Sequence, residues 1–551
     1  MICTAANGLW LATCLGEAVR FRRATTRVAE QQSRLLEQLL LANRDTQFGR
    51  RHGFPSARTA PDYQQRVPIR SYDEYEGEVG RIADGAPRVL SRDRVAIFEP
   101  TGGSASATKL IPYTRSLRRE FQRGIKPWIA DLFTHHPDLM RGQAYWSVSP
   151  VRVAPTRTPA GIPIGFDDDS AYLGSWRRLL VQRVMAAPPS LRSAADIETF
   201  QYQTLLALVR SDSLRLISIW NPSFLTLILE RLLQHGDRLL RDLNGEPDRA
   251  RSLRAALQAS TPSERHAVLW PRLRLISCWA DANAAGAAAA LASAFPQARI
   301  QPKGLLATEG FVSFPLCGEQ ASALAIRSHF FEFAPIGSSG DVDEESPLLA
   351  HELDDGQRYT VIISTGGGLY RYRLNDVIEV IGHVAQCPLI RFVGKHEYVS
   401  DWFGEKLHEA HVAAVLRDAC ARVTPAFRPA FAMLACDREL SPPAYVLYVD
   451  GDADDTTLTV AGAAAEEGLR RNFHYDYARF LGQLGPVEIF RAEEAARSYM
   501  SAAMDAGQRA GDIKPLALDR RDGWSRRFRG GFIRMPSRST PSGSGPLRLS
   551  R

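Results

Sequence analysis

The chain has 551 residues, of which 45% are hydrophobic and 23% are charged, a composition typical of a globular protein with more than one domain. The formal net charge of +7 is small for this length, and much of the basic excess follows Asp519, so charge alone does not indicate a specific nucleic-acid partner. No segment reaches about 20 uninterrupted apolar residues, so we expect no membrane-spanning segment.

The first 40 residues are expected to be helical. The apolar start from Met1 to Ala18 lacks the basic residues of a signal peptide and is interrupted by Glu17, so it predicts a packed helix. Apolar residues at helical spacing predict a second helix from Arg27 to Leu41. The seven cysteines are scattered and have no C-x-x-C spacing, which favours reduced thiols in a cytoplasmic protein.

A small-residue loop after the first predicted strand is a candidate phosphate-binding loop. The strand Arg94–Phe98 leads into the run TGGSASATK, which ends at Lys109. Glycines let the backbone approach a polyphosphate, N–H and hydroxyl groups donate to its oxygens, and a lysine offsets its charge. A flexible surface loop is the competing interpretation. The candidate binding residues are Thr101, Gly102, Gly103, Ser104, Ser106 and Lys109.

The middle of the chain alternates between strand and helix patterns, which predicts an α/β core. The predicted strands are 214–219, 273–278, 359–364 and 377–381, and the predicted helices between them are 223–240 and 282–294.

Two further polar motifs follow in this region. Thr308 and Glu309 lie in GLLATEG, where a carboxylate beside a hydroxyl could hold Mg²⁺ on ATP; a helix cap or a solvated turn is the alternative. In the run GGGLYRYRLNDV, Asp376 could accept both ribose hydroxyls of a nucleotide, and Arg371 or Arg373 could face phosphate. The alternative for this run is an internal Arg–Asp salt bridge.

The periodicity breaks between 391 and 407, and we place a domain boundary near residue 396. We therefore expect a large N-terminal domain over 1–395 and a smaller α+β domain over 396–529. The Ser-, Pro-, Gly- and Arg-rich tail over 530–551 has little to bury and is expected to be disordered. Late in the second domain lies Lys514, in GDIKP. If that domain moves onto the large one, the charge of Lys514 could stabilise the displaced phosphates in the transition state. The arginine-rich segment from Arg520 to Arg529 is expected to be solvated.

Together these motifs resemble those of the adenylate-forming superfamily, and their amino-acid sequences resemble one branch of it. The phrases TGGSASATKLIPYT, LLATEGFVSFP, GGLYRYRLNDVIEVIG, FVGKHEYVSDWFGEKL and GDIKP are similar to those of the auxin-responsive acyl-acid amido synthetase (Gretchen Hagen) family, in a bacterial-looking version. The resemblance extends from about Thr25 to Asp519. Two departures are Leu305, where plant members have a tyrosine beside the nucleotide, and Asn375, where the family usually has a glycine.

This resemblance implies a role for each motif. The loop from Thr101 to Lys109 would bind the phosphates of ATP, with Thr308 and Glu309 binding ATP and Glu309 also holding Mg²⁺. Tyr370, Arg373 and Asp376 would complete the nucleotide site, with Asp376 on the ribose. Lys514 would be the mobile catalytic lysine, and Glu397 would lie at a hinge between the domains.

The function implied is ATP-dependent activation of a carboxylic acid to an acyl-adenylate. The acyl group then passes to an amine, and an amino acid is the acceptor usual in the family. An acyl-coenzyme A ligase would use the same first step, and a binding or scaffold protein with a decayed site is an alternative from another class. We expect no specific nucleic-acid partner.

Overall fold

The computed structural model describes residues 2–101, 109–147, 156–165, 184–188, 190–191, 194, 196–281, 284–337, 342–396, 399–423, 429–505 and 516–533. The chain forms two compact units. The first contains the described residues up to Gly404 except Val399 and Ser400, and the second contains those two and the described residues from Glu405 onward. This large unit and smaller unit, built from helices and sheets, confirm the predicted fold class.

Helices form the N-terminal part of the first unit. In the second of them, Val28, Leu36 and Leu40 lie on one buried face, as helical spacing predicts. A capping box at Thr59 and Asp62 begins the fourth helix, with each side chain accepting from the other residue's backbone N–H. The helices are α1 (Ile2–Ala24), α2 (Val28–Asn43), α3 (Gln47–Arg51), α4 (Ala60–Arg66) and α5 (Glu76–Ala83).

A hairpin and a long helix follow. Strands β1 (Val95–Thr101) and β2 (Lys109–Thr114) pair antiparallel and form a four-stranded sheet with β4 (Thr156–Arg157) and β5 (Pro163–Ile164), in the order β2-β1-β5-β4. Thr114 caps the next helix, α6 (Arg115–His135), by accepting from the N–H of Leu117. This helix packs against α1 and also contacts β2.

A four-stranded sheet with parallel pairing follows in the order β3-β6-β7-β8. The intervening helices satisfy the need of parallel strands for long crossovers. The region predicted as one helix over 223–240 forms two helices, which are separated at His235. The elements are β3 (Gln143–Trp146), β6 (Leu214–Ser218), β7 (Leu275–Cys278), β8 (Arg299–Pro302), α7 (Ile197–Arg210), α8 (Pro222–Gln234), α9 (Gly236–Asp242), α10 (Pro247–Leu257), α11 (Pro262–Leu269) and α12 (Ala285–Ala294).

The largest sheet has seven strands in the order β12-β11-β13-β14-β15-β10-β9, all paired antiparallel. Strands β11 and β13 are buried along most of their length, and residues of both lie in the same core as α1, α2 and α6. Its strands are β9 (Ser313–Pro315), β10 (Ser322–Leu324), β11 (Phe330–Pro335), β12 (Leu348–Leu349), β13 (Arg358–Ser364), β14 (Tyr372–Val384) and β15 (Cys387–Lys395).

The second unit contains a five-stranded mixed sheet in the order β21-β18-β19-β20-β22. Its core is aromatic, with Trp524 stacked on Phe528 at 4.9 Å and on Tyr499 at 5.3 Å between ring centroids. Its elements are β16 (Val399–Ser400), β17 (Leu407–His408), α13 (Glu409–Val423), β18 (Phe431–Asp437), β19 (Ala444–Asp450), α14 (Asp455–Leu469), α15 (Phe473–Phe480), β20 (Glu488–Glu493), α16 (Ala495–Asp505), β21 (Leu518–Asp519) and β22 (Arg529–Phe532).

Two predictions about the chain end are wrong. The tail was expected to begin at Gly530, but β22 continues to Phe532 because its backbone pairs with β20. The arginines before it are ordered rather than merely solvated: Arg521 forms an ion pair with Asp519 at 2.7 Å and lies 4.7 Å over the ring of Trp524. Across the described part of the chain, no helix is long and apolar enough to cross a membrane.

Candidate active site

The ends of the predicted phosphate loop are neighbours in the sheet. Thr101, the last residue of β1, pairs with Lys109, the first residue of β2. The hairpin therefore fixes Lys109 at the start of a strand whose later residues are buried. Gly102, Gly103, Ser104 and Ser106, and the side chain of Thr101, lie outside the described residues.

Lys109 lies over an aromatic ring. Its Nζ is 5.6 Å from the ring centroid of Tyr72, a distance at which the ring's electrons attract a cation. The Tyr72 hydroxyl accepts from the N–H of Leu110 at 2.7 Å and donates to its carbonyl at 3.3 Å. Burial, together with nearby carboxylates that include Glu309, raises the pKa of Tyr72 to about 12. Lys109, Tyr72 and Glu309 thus belong to one cluster.

Thr308 and Glu309 lie at the tip of a tight turn. Ala307 and Gly310 exchange backbone hydrogen bonds of 3.0 and 3.2 Å across it. The Tyr113 hydroxyl donates to the carbonyl of Thr308 at 2.6 Å and fixes the turn against β2. The turn therefore presents a carboxylate and a hydroxyl beside the hairpin that carries Lys109.

One oxygen of the Glu309 carboxylate accepts a hydrogen bond from a described residue. The hydroxyl of Tyr372 donates to Glu309 Oε1 at 3.2 Å, while no described residue donates to Oε2. Burial, followed by the charge of Glu309, raises the pKa of Tyr372 well above its ordinary value, so this hydroxyl remains a donor. A half-buried carboxylate with an available oxygen is a suitable ligand for Mg²⁺, which prefers oxygen ligands and takes few of them from protein.

Asp376 lies in a bulge of β14. In the pairing with β13, Thr360 opposes Val377 and Ile362 opposes Arg373, so three residues of β14 face a single residue of β13. The bulge contains Asn375, whose φ of 59° is in the left-handed region. Asparagine adopts that region more readily than most residues, so Asn375 can replace the glycine that the family usually has. The bulge redirects the Asp376 side chain, which is near enough to Tyr372 to raise its pKa.

Two candidate residues of this run are structural instead. Tyr370 is fully buried, and its hydroxyl donates to the carbonyl of Leu90 at 2.6 Å, so its side chain cannot line a nucleotide pocket in this conformation. Arg371 does not face phosphate, because its Nε donates to both oxygens of buried Glu332, at 3.0 and 3.1 Å. The internal ion pair predicted as the alternative therefore exists, but its acid is Glu332 rather than Asp376.

Arg373 is half-buried and forms an ion pair with Glu344. A contact between Arg373 and phosphate requires that pair to open. Lys514 and Glu397 lie outside the described residues, so the structure gives no geometry for the predicted catalytic lysine or the predicted hinge.

A buried histidine links the turn of Glu309 to the glycines before Tyr370. The N–H of Phe311 donates to His329 Nε2 at 3.0 Å, and His329 Nδ1 lies 3.1 Å from the Glu120 carboxylate. Glu120 in turn accepts from the N–H of Gly366 at 2.9 Å. Sequence reasoning missed this relay, because its members come from α6, a turn before β11 and the glycine loop, and none has a motif of its own.

The arrangement places a cation, a carboxylate with an available oxygen and a buried aspartate around two tyrosines. The residues brought together are Lys109, Glu309, Asp376, Tyr72 and Tyr372. A cation and a metal-binding carboxylate can neutralise a polyphosphate, and an aspartate can accept hydroxyl groups of a sugar.

Models of known protein families match most of the chain. The chain matches three domain models of one family: the GH3 family N-terminal domain over residues 18–246, the central domain over 322–395 and the C-terminal domain over 410–520. These matches cover well over half of the chain.

Individual relatives and solved structures are similar over most of their length. "Probable indole-3-acetic acid-amido synthetase GH3.4" of Oryza sativa subsp. japonica is 26% identical over 531 residues, 85% of this chain and 82% of that protein. "Indole-3-acetic acid-amido synthetase GH3.8" of Oryza sativa subsp. indica is 24% identical over 531 residues, 86% and 85% of the two chains. The solved structure of "AtGH3.15 acyl acid amido synthetase in complex with 2,4-DB" shares the fold with a TM-score of 0.63 at 18% identity, covering 93% of this chain and 94% of that one.

Proposed function

The chain belongs to the GH3 family, and from that premise we propose that it is an ATP-dependent ligase joining a carboxylic acid to an amine. The observation that carries this proposal is the cluster of Lys109, Glu309 and Asp376 around Tyr72 and Tyr372. These are the charges that an ATP-binding site needs, and they come from three separate segments of the chain.

The first step forms an acyl-adenylate. A carboxylate oxygen of the acid attacks the α-phosphorus of ATP, the bond between the α- and β-phosphates breaks, and pyrophosphate leaves. Lys109 and the loop from Thr101 offset the negative charge that accumulates on the phosphates. Glu309 would hold Mg²⁺, which supplies further neutralisation of the leaving pyrophosphate when bound. Tyr372 orients the carboxylate of Glu309 for this role.

The nucleotide is held by its sugar. Asp376 accepts the ribose hydroxyls, because the bulge at Asn375 turns its side chain out of the regular strand alternation. Thr308 contributes its hydroxyl beside Glu309. Arg373 can contact a phosphate only after its ion pair with Glu344 opens, and we propose that it binds phosphate in that opened state.

The second step forms the amide. The amine nitrogen attacks the acyl carbon, AMP leaves with the bonding electron pair, and the nitrogen loses a proton. The net products are an amide, AMP and pyrophosphate. An amino acid is the acceptor we propose, since the relatives are named as amido synthetases. A mobile second domain that brings Lys514 to the phosphates, with a hinge at Glu397, belongs to the same proposal.

The test is a coupled assay on the purified full-length chain. The protein is incubated with ATP, Mg²⁺ and a panel of carboxylic acids, with hydroxylamine as a generic amine, and hydroxamate and pyrophosphate are measured. We expect pyrophosphate release that depends on an acid. Asp376→Ala, Glu309→Gln and Lys514→Ala are each expected to reduce release by at least about tenfold, through loss of charged contacts.

Acceptors are then compared with the acid that turns over. Greater amide formation with amino acids than thioester formation with coenzyme A supports the proposal, and the reverse makes the chain an acyl-coenzyme A ligase. A folded protein that neither binds ATP nor releases pyrophosphate contradicts the proposal and favours a decayed site.

A further inference from the structure

A second cluster of polar and aromatic groups lies at the carboxyl edge of the parallel sheet. Ser218 ends β6, Cys278 ends β7, Trp146 ends β3, and Lys303 follows β8 directly. The carboxyl ends of parallel strands meet at one edge, and such edges are where α/β sheets bind their ligands. None of these residues belongs to the phosphate site described above.

Lys303 is a cation without an acidic partner among the described residues. Its Nζ donates to Ser218 Oγ at 2.6 Å, which is one of the three hydrogen bonds that an ammonium group can donate, and no second acceptor is found in the part of the chain that the structure describes. No carboxylate of the described chain forms an ion pair with it. Burial lowers its pKa from 10.5 to about 8, against a smaller opposing effect of Cys278.

Two tryptophan rings lie near this ammonium group. Lys303 Nζ lies 4.9 Å from the ring centroid of Trp220 and 5.7 Å from that of Trp128. Trp220 packs on Trp279 at 6.1 Å, and Trp128 on Trp146 at 6.2 Å. The buried Nε1 of Trp146 finds no acceptor among the described residues. The cluster combines flat apolar walls with donors that are not fully used.

The cluster lies well away from Glu309. Tyr113, just before α6, contacts Thr308, whereas Trp128, far along α6, contacts Lys303. Arg115, where α6 begins, and Trp128 are about 20 Å apart along the helix at a rise of about 1.5 Å per residue. The chain between Lys303 and Thr308 spans at most about 17 Å when extended. The turn of Glu309 therefore contacts the chain just before α6, whereas Lys303 contacts a position further along α6, and the two lie no more than about 17 Å apart.

We propose that Lys303 and its tryptophans bind the end of the acid substrate opposite to the reacting carboxylate, and that this end carries an anionic group on a flat apolar body. The inference rests on the proposed function, which places the reacting carboxylate near Glu309. The ammonium supplies a charge-assisted hydrogen bond to the anion, and the indoles contact the rings of the substrate. The substrate class is thus a flat acid with acidic groups at both ends.

A nucleobase is the other flat ligand that this reaction brings to the protein. It is neutral, so it leaves the charge of Lys303 uncompensated in a mostly apolar site, which is costly. A second carboxylate removes that cost, and for this reason we assign the cluster to the acid.

The binding test uses the four tryptophans as reporters. The full-length chain is titrated with cinnamate and with its para-carboxy analogue, and tryptophan fluorescence is followed without ATP. We expect the diacid to bind at least about tenfold more tightly, the effect of one buried charge-assisted hydrogen bond. Lys303→Met is expected to abolish that preference, while Arg254→Met, which removes an exposed charge from α10, keeps it. Circular dichroism checks that both variants fold.

Equal binding of the two acids by the wild-type protein, or a preference for the diacid that survives Lys303→Met, overturns the inference. A rise in the KM for ATP in Lys303→Met with unchanged acid preference also overturns it, by assigning the cluster to the nucleotide. Failure of the proposed function has a different signature, because it removes pyrophosphate release with every acid and leaves the fluorescence titration intact.

Discussion

The hydroxyl of Tyr372 donates a hydrogen bond to the carboxylate of Glu309 at 3.2 Å, and so joins the long strand β14 to the turn that precedes β9. These residues are 63 positions apart in sequence: Glu309 belongs to the GLLATEG motif and Tyr372 to the GGGLYRYRLNDV run. We expect Tyr372→Phe to fold normally and to lower kcat/KM for Mg–ATP by about tenfold, because a hydrogen bond to a charged group is lost.

Tyr202→Phe is the matched control for that experiment, since the Tyr202 hydroxyl also donates to a carboxylate, that of Asp242, which is not part of the candidate site. Initial rates at varied Mg–ATP measure both variants. An unchanged kcat/KM in Tyr372→Phe contradicts the orienting role.

The His329 relay gives a second prediction. Replacing His329 by alanine removes two hydrogen bonds. The N–H of Phe311 loses its acceptor, and the Glu120 carboxylate loses its imidazole partner. We expect a loss of about 2 kcal/mol in the free energy of unfolding and a fall in kcat that exceeds any change in the KM for the acid. Urea unfolding and initial rates test this. A stable variant with wild-type kcat would show that the turn is held without the relay.

The bulge at Asn375 gives a third prediction through backbone conformation. With φ at 59°, glycine is tolerated, whereas valine is strained by about 1–2 kcal/mol and tends to restore a regular strand. We therefore expect Asn375→Gly to keep ATP binding and Asn375→Val to weaken it strongly. Equilibrium binding of ATP measures both, and equal affinity in the two variants argues against the bulge as the device that positions Asp376.

The two arginines of the YRYR run are expected to behave differently. Arg371→Met leaves the Glu332 carboxylate buried without its partner, which costs about 3–5 kcal/mol of folding free energy. Arg373→Met breaks a pair that is partly exposed and should change stability by less than about 1 kcal/mol. Chemical denaturation compares them. Similar losses in the two variants contradict the structural assignment of Arg371.

Lys303 predicts a dependence of stability on pH. Its pKa is lowered to about 8 in the folded chain and is near 10.5 otherwise, so between these values the unfolded chain binds more protons. The stability of the wild type relative to Lys303→Met should therefore rise with pH across this window, by at most about 1.4 kcal/mol per pH unit. Partial exposure reduces the slope. Denaturation at several pH values in the absence of acid substrate measures it, and a flat difference between pH 8 and 10 contradicts the lowered pKa.

Much of the fold could be predicted from the sequence, because local patterns encode it. Helical spacing located α2, and the strand patterns at 214–219 and 359–364 correspond to β6 and β13. The helix predicted over 223–240 is divided at His235, because an uninterrupted helical pattern does not reveal where packing ends a helix. The late arginines were misjudged for a similar reason: Arg521 lies in a charged segment, but a folded aromatic core gives it Trp524 to contact.

By itself the sequence determined the family and the chemical types of the site residues, because short motifs such as TGGSASATK, ATEG and YRLND each carry their own polar groups. Only the tertiary structure decided which of those groups belong to the site and which to the core. In the folded chain Tyr370 is buried, Arg371 forms an ion pair with Glu332, and Tyr372 donates a hydrogen bond to Glu309. The physical reason is that burial and ion pairing depend on neighbours that come from distant parts of the chain, and local spacing carries no record of them. The same holds for Lys303, whose nearest tryptophans, Trp128 and Trp220, come from α6 and from the residues after β6.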